Sequence, residues 1–301
     1  MRIHQLIAFS CILAIPGASA APLSAEAPPP TGHAPAYLVR EVVYNELHDH
    51  DSHGYWRYWI ERRSEKGTQL QQTVETSEGP IARVESANGQ PLSAASRQEE
   101  DSRLQHLLTS PSEQSQHRKD YAEDEHRIGR ILALLPDAFL YEAAVFEPKS
   151  EQMPGCACYH MRFYPNPNYP AHSIEARIFH AMAGDLWISV DQKRLVRLDG
   201  KLQDNVDFGL GILGRLYKGG WFQLERTRVG GNGAGDWKTQ RLEVHMNGRA
   251  MLFKTIARET SEIRGGFEPV PKGLSLAEAA AIARHTPTAP TAQSAALVTL
   301  R

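Results

Sequence analysis

Residues 156–164 read Cys-Ala-Cys-Tyr-His-Met-Arg-Phe-Tyr, and from Tyr159 onward large apolar and polar side chains alternate strictly. Extended backbone sends successive side chains to opposite faces. Tyr159, Met161 and Phe163 therefore share one face, and Cys156, Cys158, His160 and Arg162 share the other. A strand with one core face and one polar face is the mark of an antiparallel sheet, whose two sides need not both be buried.

The same period runs outward from this stretch. Trp56, Tyr58 and Ile60 align within Tyr55–Arg63, and Val196, Leu198 and Leu202 align within Arg194–Leu202. Further strands are expected at Tyr37–His48, Gln69–Glu75, Ile81–Ser86, Phe139–Phe146, Ile174–Ala181 and Asp185–Val190. Trp221–Val229, Lys238–Met246 and Met251–Arg258 complete the series. Asn88-Gly89, Asn166-Pro167 and Asn247-Gly248 supply turn signals between some of them.

One region follows a helical period instead. Ser96-Arg97-Gln98-Glu99 has the form of a capping box, followed by Leu104, Leu107 and Leu108. After Ser110-Pro111, a second helix carries Tyr121, Ile128, Ile131, Leu132 and Leu135 on one stripe and is expected to stop at Pro136. Short links between neighbouring strands, with this helical pair inserted, predict one curved antiparallel sheet with helices covering a face, an α+β chain that is mainly β.

The ends have a different character. Arg2 and His4, an apolar run from Leu6 to Ile15, and Ala18-Ser19-Ala20 form the three-part pattern of a secretory signal peptide, with cleavage expected near Ala20. The apolar run is too short to span a bilayer, which takes roughly 20 residues. Cys11 lies inside it with no lipoprotein cleavage pattern, so export leaves Cys156 and Cys158 as the cysteines of the mature chain. The expected organisation is a leader at 1–20, an Ala/Pro-rich tether at 21–36, a folded body at 37–269, and a short helix and disordered tail at 270–301. Ser275-Leu276-Ala277-Glu278 is a second capping box and starts that helix.

Charge narrows the function classes. Lys and Arg number 33 and Asp and Glu 35, which leaves no electrostatic footprint for nucleic acid. No Gly-x-Ser-x-Gly, His-Glu-x-x-His, Ser-x-x-Lys or phosphate-loop motif occurs, and the Asp207-Phe208-Gly209 triplet lacks the partner motifs of a kinase. Neither an enzymatic activity nor a cofactor is expected. His48, His50 and His53, interleaved with Asp49 and Asp51, are weak metal candidates, because they read as a hairpin turn without a spaced partner pair. Cys156 and Cys158 stand at i and i+2, a spacing of ~6.7 Å between Cα atoms on an extended strand and at the upper limit for a disulfide. A strained or intermolecular disulfide and a pair of free thiols are both open.

Three stretches resemble a known family. They are Phe163-Tyr164-Pro165-Asn166-Pro167-Asn168-Tyr169-Pro170, Met182-Ala183-Gly184-Asp185-Leu186-Trp187-Ile188 and Arg194-Leu195-Val196-Arg197-Leu198-Asp199-Gly200. The resemblance is to the LolA-like proteins, also described as outer-membrane lipoprotein-sorting protein-like. It is nearest to uncharacterised acidobacterial-type members, through Asp207–Gly209, Lys218–Phe222 and Gly248–Lys254. It covers roughly 37–269 and implies an unclosed antiparallel β-barrel of about eleven strands, with helices on its concave face. In carriers of that family the cavity shelters the acyl chains of a lipoprotein crossing the periplasm.

The reading that follows is a periplasmic carrier or binding protein for an acylated or hydrophobic ligand, not membrane-spanning. Trp56, Tyr58, Ile60, Tyr159, Met161, Phe163, Leu186 and Ile188 are the candidate cavity residues. An envelope protein-interaction or stress-sensor module, which would dock on other envelope proteins, is the alternative. A metal-dependent or redox envelope enzyme built on the His/Asp turn or the Cys pair is the third.

Overall fold

The computed structural model describes residues 35–49, 54–150, 156–208, 214–230, 235–250 and 254–285. The expected leader, nearly all of the tether and the tail beyond residue 285 lie outside these. Within them a single antiparallel sheet of 14 strands does not close on itself.

The chain enters through helix α1 (Pro35–Leu47), then runs through β1 (Tyr55–Ser64), β2 (Gly67–Val74), β3 (Ile81–Ala87) and the two-residue β4 (Gln90–Pro91). Two helices follow, α2 (Ala94–Thr109) and α3 (Pro111–Ala138). The middle of the chain forms β5 (Phe139–Tyr141), β6 (Val145–Glu147), β7 (Cys158–Pro165), α4 (Ile174–His180), β8 (Met182–Ser189) and β9 (Leu195–Leu202). Last come β10 (Val206–Phe208), β11 (Gly214–Leu216), β12 (Trp221–Val229), β13 (Asp236–Ala250), β14 (Lys254–Val270) and α5 (Leu276–His285). The continuous path is β4-β3-β2-β1-β14-β13-β12-β9-β8-β7-β5, and its eleven strands are the expected half-barrel. Pairing of β1 with β14, Tyr55 opposite Val270, joins the two ends of the folded body at the middle of the sheet.

Helices pack on both faces. On the inner face, α1, α3 and α4 bury Val39, Val42, Val43, Ile178 and Phe179 against Met161, Phe163, Leu186 and Ile188. On the outer face of β2 and β3, α2 and α5 bury Leu104, Leu107, Leu276, Ala279 and Ala280 against Val74 and Ile81. The inserted helical pair is therefore divided between the two faces rather than laid on one.

Several sequence expectations change. Residues 37–47 lie in helix α1 where a strand was expected over 37–48: the buried Val39, Val42 and Val43 follow i, i+3, i+4 spacing, which outweighs their β-branched character. Residues 174–180 of the strand expected at 174–181 are likewise helical, started by Ser173, whose hydroxyl accepts from the Ala176 N–H at 3.0 Å. Helix α2 begins one turn before the expected box, because the Ser93 hydroxyl accepts from the Ser96 N–H at 3.1 Å. Helix α3 runs through Pro136 to Ala138 instead of stopping there. The expected strand at Phe139–Phe146 is split into β5 and β6, both paired with β7.

A bulge between Trp187 and Ile188 shifts β9 by one residue and sends Val196 to the outer face, away from Leu198 and Leu202. Asn247-Gly248 makes no turn: Gly248 lies within β13, where a Cβ would collide with the Arg215 carbonyl of β11. By contrast Asn88 and Gly89, at φ 53° and 74°, form the β3–β4 turn as expected.

Helix α1 is fixed to the open sheet by a buried ionic clamp. Arg194 binds Glu46 through two 3.0 Å hydrogen bonds, Arg226 reaches the same carboxylate at 2.5 Å, and the Leu195 N–H donates at 3.1 Å. Asp49 takes the third nitrogen of Arg194 at 2.6 Å. Burial alone would raise the Glu46 carboxyl, but Arg226 and Arg194 outweigh it and hold the group below its ordinary value of 4.5. A depressed carboxyl stabilises the fold fully above its unfolded value and loses that contribution as pH falls through its folded value. Glu46→Gln should therefore cost about 3–5 kcal/mol at neutral pH, since two guanidiniums lose their buried counter-charge. Urea unfolding followed between about pH 6 and pH 3 should show a smaller acid-dependent loss in this variant than in the parent chain.

Candidate functional site

A single row of directly opposed residues crosses the inner face of the sheet. From one edge it runs Gln69, Arg62, Glu262, Leu242, Leu224, Leu198, Leu186, Met161. Opposed positions share a face, so the sheet itself brings together residues from seven more strands beside β7. The neighbouring row runs Thr260, Val244, Phe222, Gly200, Gly184, Phe163. Its two glycines have no room for a side chain, since a Cβ on Gly200 would meet the Phe222 ring and one on Gly184 would collide with the Asp199 carbonyl of β9 and then with the Phe163 ring.

The row changes character along its length. At the β7–β8 end, Met161, Phe163, Leu186 and Ile188 are buried beneath α1, α3 and α4. In the middle, Leu198, Leu224, Phe222 and Val244 pack against this core yet stay half-buried, as does Leu242. Leu216 of β11 and Phe208 of β10 border the same region and are also partly open. Ile128, on the stripe that α3 was expected to turn inward, remains 40% exposed.

At the β1–β14 end the floor becomes ionic. Glu262, 3% exposed, accepts from Arg62 Nε at 2.7 Å and from Arg264 Nη2 at 2.9 Å. Burial would raise this carboxyl, but Arg264 and Arg62 prevail and hold it low. Two donors of the pair, Arg62 Nη2 and Arg264 Nε, are buried without a hydrogen-bond partner. Lys238 closes on Glu75 at 2.9 Å. Burial, with the Glu75 charge nearby, pushes the Tyr58 hydroxyl well above its ordinary value, and burial with Glu125 and Glu75 does the same to Tyr121 of α3. The inner face is thus apolar in its middle and polar at one end.

The eight expected cavity residues do not form one lining. Trp56, Tyr58 and Ile60 belong to a separate buried cluster with Val229, bordered by Phe267, and the Trp56 indole donates to Asp236 at 2.6 Å. Met161, Phe163, Leu186 and Ile188 lie in the main core, and Tyr159 packs half-buried against it with the Lys193 ammonium 5.6 Å from its ring. The half-open apolar residues are others: Leu198, Leu216, Phe222, Leu224, Leu242 and Val244. Their alternation is visible in the sequence, but which side is left open depends on the order of strands across the sheet.

The polar candidates separate too. His48 Nδ1 lies 2.8 Å from the Tyr44 carbonyl and its ring stacks on Tyr44, while His50 and His53 fall outside the described residues. Among the described residues no group of three or more His, Cys, Asp or Glu side chains could hold a metal ion. On the outer face, His160 is set between Glu147 at 3.1 Å and Asp185 at 2.9 Å and stacks on Trp187 at 4.5 Å. Cys156 and Cys158 are two thiols with Sγ atoms 3.1 Å apart.

No protein-family model and no curated protein matches the chain. Among solved structures it is similar to the crystal structure of a DUF1329 family protein from Desulfovibrio piger. The identity is 10% and the TM-score 0.27, over 80% of this chain and 95% of that one.

The gradient along the row has a direct consequence for stability. Leu186→Ala should cost about 2–5 kcal/mol, as for a closed core, whereas Leu224→Ala on the half-open stretch should cost under about 1.5 kcal/mol. Chemical denaturation of the two variants checks this, and equal large losses would mean that the middle of the face is closed.

Proposed function

We propose that this chain is a binding or carrier protein for an acylated or otherwise hydrophobic ligand, taken up on the middle of the inner face. The observation that carries the reading is the half-covered apolar stretch Leu198–Leu224–Leu242, with Phe222 and Val244 beside it, between a closed core on one side and an ionic floor on the other. Transfer of an acyl chain to such a surface gains about 0.8 kcal/mol for each buried CH₂, enough for a useful affinity without any chemical step. The pattern of residues 1–20 supports export, and a hydrophobic cargo crossing an aqueous envelope space needs such a shelter. No helix among the described residues is long and apolar enough to cross a membrane.

A specific feature favours a second reading, that of a protein-interaction module. Among the described residues β6 pairs with β7 alone, and its Val145 and Phe146 are 60% and 57% exposed. An apolar strand with a free edge suits strand addition by a partner protein from the envelope.

Native mass spectrometry of the full chain, stripped of lipid and then offered a long-chain fatty acid, tests the first reading. A one-to-one adduct is expected, weakened at least about tenfold in Leu224→Asp, where a charge enters the acyl path. Absence of an adduct on the parent chain, or equal binding by the variant with its fold intact, would overturn it.

A further inference from the structure

A second site lies on the opposite face of the sheet and is independent of the ligand reading. Cys158, the first residue of β7, is 1% exposed and enclosed by Val196 and Trp237. Cys156, just before the strand, is half-buried and reachable from solvent. On a straight strand an i, i+2 pair stands too far apart for its sulfurs to meet readily, yet here the chain brings the two Sγ atoms to 3.1 Å. One sulfur is thus offered outward and a second is held directly behind it.

We propose that Cys156 and Cys158 form a thiol–disulfide exchange site, in which Cys156 is the entry nucleophile and Cys158 the resolving thiol. The co-reactant is a linear disulfide, borne by a small molecule or a peptide. The Cys156 thiolate attacks one sulfur of R–S–S–R, forming a Cys156–S–S–R bond as the S–S bond breaks and a thiolate RS⁻ leaves. The Cys158 sulfur then attacks Cys156 Sγ, the Cys156–S–R bond breaks, and the departing RS⁻ takes up the Cys158 proton and leaves as RSH. Two protein thiols are oxidised to one disulfide, and one external disulfide is reduced to two thiols.

The electrostatics assign the same roles. The hydrogen bond between the two sulfurs lowers the Cys156 thiol, assisted by the Arg228 and Lys149 charges and opposed by burial and Asp191. The same bond raises the Cys158 thiol, and burial adds to this. The outer sulfur is the better thiolate, and the inner one keeps its proton until it is needed. Loop closure over a single intervening residue makes the resulting disulfide strained and easily reduced, so the pair is reversible rather than a permanent brace.

The test uses the reduced full chain, glutathione disulfide as the oxidant, and intact-mass analysis after alkylation. The parent chain should lose the mass of two hydrogens and refuse the alkylating agent at residues 156 and 158, and added dithiothreitol should restore both thiols. Cys158→Ser should halt at a glutathione adduct on Cys156, and Cys158→Ala provides the same arrest if serine disturbs the buried site. Cys156→Ser should leave Cys158 unmodified over the same period. Two free thiols in the oxidised parent chain, or equal adduct formation on Cys158 in the Cys156→Ser variant, would overturn the proposal.

Discussion

The carboxylate of Glu46, held between Arg194 and Arg226, is the interaction on which the inner face depends. An unclosed sheet has no geometric closure to fix what covers it, and a helix laid on it by apolar contact alone is free to slide. Helix α1 is prevented from sliding because its acidic residue meets one guanidinium from the residue just before β9 and another from within β12. The Arg226 guanidinium also donates to the Trp237 carbonyl of β13, so the clamp spans three neighbouring strands. Asn45, next in line, donates to the Gln192 and Lys193 carbonyls of the β8–β9 turn at 3.3 and 3.1 Å. Such a clamp specifies position more than it adds stability, since charges taken out of water repay most of their attraction in desolvation.

With α1 fixed, the rest of the inner face acquires its gradient. Val39, Val42 and Val43 close the core over Met161, Leu186 and Ile188, and the C-terminal half of α3 adds Ile131, Leu132 and Leu135 to the same cover. Farther along, the Leu242–Leu224–Leu198 stretch receives less cover, and beyond it the face turns to Glu262 with its two arginines. An amphipathic cargo, with an apolar tail and a polar end, has the same division of character. The outer face is separate in kind: a stripe of alternating charges from His160 through Arg197 to Arg241, with the two thiols at its end.

Much of this was legible in the sequence, and the remainder failed for identifiable physical reasons. The strands at 55–64 and 158–165 announce themselves because burial of one sheet face imposes a period of two on Trp56-Tyr58-Ile60 and on Tyr159-Met161-Phe163. Helix α1 is hidden because its buried face is all valine, and α4 because it is a 7-residue helix with Ile178 and Phe179 on its buried side, and such residues mimic a strand. Val196 leaves the face of Leu198 and Leu202 because it is itself the extra residue of a bulge in β9, which simple alternation does not reveal. The ionic clamp was invisible, since Glu46 and Arg194 are 148 residues apart and nothing local marks either as a partner. Of the eight bulky aligned cavity candidates, all but the half-buried Tyr159 are buried in the fold.

The central claim is that the half-covered middle of the inner face, Leu198–Leu224–Leu242, takes an acyl chain. Hydrogen exchange of the lipid-free full chain, with and without a saturating long-chain fatty acid, tests it most directly. The account predicts slower exchange in β9, β12 and β13 when the acid is bound, with β2, β3, α2 and α5 unchanged. Exchange that is the same everywhere, or protection confined to the outer unit of β2, β3, α2 and α5, would contradict it.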